Sequence, residues 1–233
     1  MSETLPVTVI VIAKEPVPGQ VKTRLTPPFS PSEAAWLAQA ALADTLDVVA
    51  AAPVARRVIA LAGQAGPWLP PGFEIIPQHG NGLDERLAAA FADAYGIKRL
   101  PMVLIGMDTP QVTPELLAQA SQSLASGEAD ACFGPAADGG YWLLGLRAPD
   151  WSLLHGVPMS RSDTGRVQLR RLEEAGLRVA MLPELTDVDH AGDAARIAAE
   201  LPGSRFARVY CELAAAGAVS ALSLCVMPQG HRP

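Results

Sequence analysis

Three cations and four carboxylates in this chain have the type and spacing to hold and work on a small anionic ligand. Lys14, Lys22 and Arg24 fall within one short stretch, Ala13-Lys14-Glu15-Pro16-Val17-Pro18-Gly19-Gln20-Val21-Lys22-Thr23-Arg24-Leu25. Pro16 and Pro18 stiffen it, Gly19 permits a close approach of backbone to ligand, and the positive charges suit a diphosphate. The alternative is a solvated basic loop, because Lys and Arg are mostly exposed. The stretch is not a Walker loop, since the G-x-x-x-x-G-K-[ST] spacing is absent.

The carboxylates come later. Asp108 follows the apolar run Met102-Val103-Leu104-Ile105-Gly106, and Pro110 behind it turns the chain so that the side chain is presented. A carboxylate there can hold Mg²⁺ or Mn²⁺, hard cations that take oxygen ligands and bridge phosphates, or it can cap the turn. Asp187 and Asp189 stand two apart, so in an extended segment both point the same way and one metal could take both; capping of the next helix is the other explanation. Asp138-Gly139-Gly140 is a strong turn signal before the apolar run from Tyr141, and its glycines also give the close approach a sugar needs. Asp138 and Asp163 are the candidates for a general base. The glycine-rich turn Gln78 to Gly82 leads into a helix whose N-terminus could receive an anion or a base edge.

These residues need a scaffold. Val7-Thr8-Val9-Ile10-Val11-Ile12, rich in β-branched residues and without alternation, reads as a strand buried on both faces, so the first basic loop sits at the carboxyl edge of a parallel sheet, where such sheets bind ligands. Further strands are expected at 57–62, 73–76, 102–106, 129–135, 141–146 and 177–182. Ser30-Pro31-Ser32-Glu33 has the form of a capping box opening a helix whose buried face carries Leu42, Leu46 and Val49. Thr113 caps a second helix. A later helix has Val167, Leu169 and Leu172 as its apolar positions and ends at Gly176, and a last amphipathic helix runs through Ile197 and Leu201. The expected organisation is one domain over 1–203 followed by a helical tail over 204–233, in which the apolar segment Leu213–Met227 is a packing or dimerising helix too short to span a bilayer.

Composition narrows the function. The chain has 233 residues, 49% hydrophobic and 18% charged, enough for one sizeable α/β core. A net charge of -6 argues against nucleic acid as a partner, since phosphate-backbone binding needs broad positive surface. Three widely spaced cysteines suggest neither a disulfide framework nor a zinc motif, and the N-terminus lacks the basic region of a signal peptide, so a cytoplasmic protein is expected.

Four motifs occur in order: K-x-P-x-P-G-x-V-K-T-R-L from Lys14, G-x-D-x-P from Gly106, G-P-A-x-D-G-G-Y from Gly134, and Asp187-Val188-Asp189. With them the chain, from about Val7 to Leu201, resembles a bacterial family of small GT-A-fold glycosyltransferase-like proteins, the nucleotide-diphospho-sugar transferases. More distantly it is similar to the guanylyltransferases of molybdenum-cofactor and 2-phospholactate metabolism. The resemblance implies a three-layer α/β/α Rossmann-like GT-A fold with a mainly parallel sheet. It implies nucleotide contacts from Lys14, Gly19, Lys22, Thr23 and Arg24, with Gln78 and Arg86 in the same pocket. Asp108 with Asp187 or Asp189 would bind Mg²⁺ or Mn²⁺. Asp138, Gly139, Gly140, Tyr141 and Ser160 would line the acceptor side, and Lys22, Asp108 and Asp138 would be catalytic. Arg161 and His190 stand where many relatives have Thr, which leaves the acceptor open. The activity so implied is metal-dependent glycosyl transfer from a nucleotide-sugar to a small molecule, with nucleotidyl transfer and loss of pyrophosphate as the alternative. A non-catalytic nucleotide-sensing protein that keeps the fold is a third possibility.

Overall fold

The computed structural model describes residues 4–148 and 150–217. Its first strand, β1 (Leu5–Lys14), is buried on both faces, as the unbroken apolar run predicts. Val7, Val9 and Val11 point into one core layer and Ile10 into the other. Parallel neighbours flank it: β2 (Val54–Ala62) on one side and β4 (Met102–Gly106) on the other, with β3 (Glu74–Pro77) parallel to β2 at the edge.

Beyond β4 the direction changes. The strands β5 (Ala131–Pro135) and β6 (Tyr141–Leu146) are joined by the Asp138-Gly139-Gly140 turn as an antiparallel hairpin, and β6 is the member that inserts beside β4. The last strand, β7 (Val179–Met181), runs parallel to β5. The sheet order is therefore β3-β2-β1-β4-β6-β5-β7, with β6 alone reversed among the described strands. β7 is shorter than its apolar run suggests, and at its entrance the Asp130 carboxylate accepts hydrogen bonds from both Arg178 N–H and Nε, the latter at 2.8 Å.

Helices cover both faces. On one lie α1 (Pro31–Ala51) and α3 (Pro114–Ser126), on the other α2 (Leu83–Ile97) and α4 (Thr164–Glu174). The predicted capping box at α1 is formed: Ser30 N–H donates to Glu33 Oε2 at 2.7 Å and Glu33 N–H to Ser30 Oγ at 3.3 Å. Thr113 caps α3 through Leu116 N–H, also at 3.3 Å. Leu42, Leu46 and Val49 are fully buried as expected. The other side of α1, with Ala34, Leu37 and Ala41, packs against α5 (Ala191–Glu200) and α6 (Arg205–Ala215). So α1 is long and apolar enough to cross a membrane because it is a core helix buried on two sides. The first part of the expected tail is committed to this core, since Phe206, Tyr210 and Leu213 of α6 are buried in it. The remainder of the Leu213–Met227 helix lies outside the described residues.

One helix departs from its pattern. In α4 the buried stripe is Thr164, Gln168 and Leu172, four apart, while Val167 and Leu169 are only half-buried. Gln168 is tolerated there because its Nε2 donates to the Leu153 carbonyl at 3.0 Å. The i, i+4 geometry decided the face, and an amide bonded through Nε2 alone was admitted to it, its buried Oε1 having no hydrogen-bond partner among the described residues.

A buried arginine fastens the sheet edge. Arg56 on β2, with 6% of its side chain exposed, donates through Nε and Nη2 to Glu74 at 2.9 and 2.7 Å and through Nη1 to the Ala94 carbonyl of α2 at 2.8 Å. The hydrogen bond from Arg56 holds the Glu74 carboxyl below its ordinary value of 4.5. A depressed acid stabilises the fold above its unfolded pKa and loses that contribution as pH falls through the folded one. Because Glu74 is half-exposed, solvent screening weakens the pair, and Glu74→Gln is expected to lower stability by less than about 1 kcal/mol at neutral pH. The gap from the unaltered protein, followed by denaturant unfolding, should close in acid; a gap that persists there would assign the effect to packing.

Candidate active site

The carboxyl ends of β1 and β4 open into a cavity of about 620 Å³. Lys14, Lys22, Thr23, Arg24, Gln78 and Arg86 line it, and so do Asp108, Asp138, Gly140, Tyr141, Ser160, Asp187 and Asp189. Motifs that stand far apart along the chain are thus gathered at one sheet edge.

A backbone hydrogen bond joins the two acidic segments. Val188 N–H donates to the Asp108 carbonyl at 3.0 Å, and the Val188 side chain is buried among α1, α5 and α6. With Val188 pinned inward, Asp187 and Asp189 both reach the cavity, as their spacing predicts. Thr186 N–H, donating to Gln111 Oε1 at 2.8 Å, ties the same segment to the loop after β4.

Lys22 sits between the carboxylates. Its Nζ is 2.6 Å from Asp108 Oδ2 and 3.1 Å from Asp189 Oδ1, and only 9% of its side chain is exposed. Arg24 Nη1 takes the other Asp189 oxygen at 3.0 Å. Burial works against the ammonium charge, but Asp108 and Asp189 more than offset it, so the Lys22 pKa is raised. Burial likewise opposes the Asp189 charge, and Lys22 and Arg24 overcome it, so that carboxyl stays below its usual range. Asp187 differs: burial, reinforced by the charge of Asp108, pushes it up to about 7, although Thr109 donates its hydroxyl to Oδ1.

The carboxylates are the right donor type for Mg²⁺ or Mn²⁺. As they stand, however, Lys22, Arg24 and Thr109 occupy them, and among the described residues no three acidic, histidine or cysteine side chains form a ready metal cage. His190 does not join them: it caps α5, lies beside Asp193 and is absent from the cavity wall.

The glycines act on the backbone. Gly19 has φ +76°, a Cβ there would meet nothing within 4 Å, and it stands beside Gln20 and Val21 of the cavity wall without itself lining it. Gly139, at φ +88°, is also outside the lining; a Cβ there would lie 2.0 Å from the Ser162 carbonyl oxygen. Gly165 N–H donates to the Gly139 carbonyl at 2.8 Å. The hairpin turn is thereby pressed onto the start of α4, which carries Ser160 to the cavity rim. Asp138 Oδ1 accepts Gly140 N–H at 2.8 Å, so this residue holds the turn and also faces the cavity.

Other expectations resolve differently. Gln78 Nε2 donates to the carbonyls of Ala13 and Ala60 at 2.7 and 2.8 Å, linking β1 and β2 beneath the cavity. Arg86 Nε reaches the Gly80 carbonyl at 3.2 Å. The first turn of α2 is unsuited to an anion, because Asp84 and Glu85 already lie there and Glu85 accepts Asn81 N–H. Asp163 is off the cavity wall, with Arg161 Nε at 3.1 Å. Tyr141 packs on Phe133 with ring centroids 5.4 Å apart and planes tilted by 49°, and among the described residues its buried hydroxyl has no hydrogen-bond partner. Sequence reasoning missed Thr109, Gln111 and the Met107 sulfur that accepts Lys14 N–H at 3.1 Å; Met107 and Thr109 had a visible signal, their places inside the G-x-D-x-P motif, and Gln111 had none.

The profile of a family described as uncharacterised proteins conserved in bacteria, DUF2064, matches residues 37–161. The chain belongs to that family. The matched span carries Asp108, the Asp138 turn and Ser160. A solved structure from Desulfovibrio desulfuricans G20, provisionally named a nucleotide-diphospho-sugar transferase, is similar at 27% identity and a TM-score of 0.82, over 91% of this chain and 96% of that one. Rv0371c from Mycobacterium tuberculosis H37Rv, also solved as a manganese complex, matches at 21% identity and a TM-score of 0.51, over 84% of this chain and 98% of its own. A CMP:2-keto-3-deoxy-manno-octonic acid synthetase complexed with CTP matches at 12% identity and a TM-score of 0.52, over 86% of this chain and 99% of that one. These two show the shared fold, a Rossmann-like α/β/α arrangement of the GT-A and nucleotidyltransferase kind. Comparison with curated proteins returned no match.

Because Gly139 meets backbone rather than a yielding side chain, Gly139→Ala is expected to destabilise the protein by about 2–4 kcal/mol. Urea unfolding would measure it, and a loss under 1 kcal/mol, set against the ~1 kcal/mol of a mild backbone effect, would mean that the turn can lift off α4.

Proposed function

We propose that this chain is a transferase that binds a nucleoside diphosphate group in the β1–β4 cavity, and that it moves a glycosyl group from a nucleotide-sugar to a small-molecule acceptor. The observation that carries the reading is the convergence of Lys22 and Arg24 with Asp108, Asp187 and Asp189 at the carboxyl edge of a parallel sheet. The name of the Desulfovibrio protein, at 27% identity, supports it.

In this reading Lys14, Lys22, Thr23 and Arg24 face the diphosphate, with Gln78 and Arg86 toward the base. Negative charge grows on the diphosphate as its bond to the sugar breaks, and the buried Lys22 with the more exposed Arg24 oppose that charge. A divalent cation, Mg²⁺ or Mn²⁺, held by Asp108 with Asp187 or Asp189, would supply further positive charge to the same oxygens. Asp138, with Oδ1 engaged by Gly140 N–H, offers Oδ2 to an acceptor hydroxyl, and Gly140, Tyr141 and Ser160 border that side. The setting is the cytoplasm, where nucleotide-sugars are held.

Nucleotidyl transfer is the second reading, because the same charges would serve attack on an α-phosphate with pyrophosphate leaving, and a fold relative was solved with CTP. A thermal-shift panel of nucleoside triphosphates and UDP-, GDP- and dTDP-sugars, with and without Mn²⁺, separates the two. A ligand present at ~100 times its dissociation constant adds about 2.7 kcal/mol. Stabilisation by one nucleotide-sugar above its parent triphosphate is expected; stabilisation by a triphosphate alone would favour nucleotidyl transfer, and no shift at all a non-catalytic role.

Two substitutions divide the site. Asp108→Ala should weaken metal-dependent nucleotide binding at least tenfold, about 1.4 kcal/mol, in calorimetry while leaving the melting curve cooperative. Asp138→Asn should keep that affinity and lower turnover by about 10²–10⁴. An Asp138→Asn enzyme with full turnover would remove Asp138 from the role of base.

A further inference from the structure

The three carboxylates expected to hold a metal are already engaged from within, Asp108 and Asp189 by cations and Asp187 by a hydroxyl. Lys22 Nζ bridges Asp108 Oδ2 at 2.6 Å and Asp189 Oδ1 at 3.1 Å, Arg24 holds Asp189 Oδ2 at 3.0 Å, and Thr109 donates to Asp187. The remaining Asp108 oxygen is turned back over the chain: a Cβ on Gly106 would meet Oδ1 at 2.9 Å. The lysine is also placed at a cost, since Lys22 adopts a left-handed backbone (φ 48°); among the described residues only Ser160, also on the cavity wall, shares that feature without being glycine.

We propose that Lys22 is the resident cation of this carboxylate cluster, that its ammonium excludes divalent metal from the ligand-free protein, and that metal enters when a diphosphate draws the ammonium away. The last clause rests on the transferase reading above. An ammonium and a divalent ion cannot share the same two oxygens at close range without strong repulsion. Diphosphate oxygens are equally good acceptors for the ammonium, so Lys22 can change partners with its charge still compensated. Because coupling between two ligands is reciprocal, the anion must then raise metal affinity by the factor by which metal raises anion affinity.

The test is a Mn²⁺ titration of the full chain without nucleotide, with free Mn²⁺ read by electron paramagnetic resonance. Lys22→Met should bind Mn²⁺ at least tenfold more tightly than the unaltered protein, and Lys22→Arg, which keeps the charge, should bind no better than it. Lys22→Gln serves as the neutral variant if Lys22→Met does not melt cooperatively. Equal Mn²⁺ affinity in the unaltered and neutral proteins would overturn the proposal, whatever the arginine variant does. In equilibrium dialysis, added pyrophosphate should raise the manganese retained by the unaltered protein toward the Lys22→Met level; no rise would overturn the exchange. As the titration contains no nucleotide, a failed nucleotide panel counts against the transferase reading and leaves the metal exclusion to stand or fall by itself.

Discussion

The site depends on one buried charge cluster, Lys22 with Asp108 and Asp189. Three distant pieces of chain meet in it: the loop after β1, the loop after β4, and the segment leading into α5. A nearly buried ammonium such as that of Lys22 is tolerable only when paired and hydrogen-bonded, so each piece constrains where the others can lie. The Val188–Asp108 backbone hydrogen bond sets the spacing of the two acidic segments, and the burial of Val188 decides which way Asp187 and Asp189 turn. Even the unusual backbone of Lys22 follows from this arrangement, since the side chain must reach inward from a loop that runs along the rim.

The sheet supplies the rest of the geometry. Parallel β2, β1 and β4 present their loops at one edge, which is where Lys14, Lys22, Arg24 and Asp108 lie. The reversal of β6 then brings the Asp138 turn to the same edge from the opposite direction, because a hairpin ends where its first strand ends. Close backbone contact between Gly139 and Ser162 seats α4 against that turn. The cavity is therefore walled by the parallel half of the sheet on the phosphate side and by the hairpin and α4 on the other. Such a division suits a two-substrate transferase, with one ligand's diphosphate near Lys22 and a second ligand near Asp138.

Membership of DUF2064 and the similarity to the Desulfovibrio structure agree with this arrangement without deciding the chemistry. Glycosyl and nucleotidyl transfer both require positive charge against a diphosphate, and a fold shared by both kinds of protein offers the same edge to each. What distinguishes them is where the attacked atom sits relative to Lys22 and Asp138, a property of the bound ligands.

Much of the scaffold was legible locally. An unbroken β-branched run specifies a two-face-buried strand, and the Ser30–Glu33 box specifies a helix start, because both rest on short-range geometry and solvation. The basic loop, the G-x-D-x-P turn and the Asp187-Val188-Asp189 triplet likewise named the charged residues that line the cavity. Legibility failed where long-range contact decides. Nothing near Gln168 announces that the Leu153 carbonyl will accept from its Nε2, and Gly139 reads as ligand-facing when it presses on the Ser162 backbone. Above all, the sequence by itself determined that cations and carboxylates of the right types were present. That Lys22 would sit among Asp108 and Asp189, taking the oxygens a metal was expected to use, was decided by tertiary structure, since pairing between residues more than eighty positions apart depends on how the sheet brings their loops together.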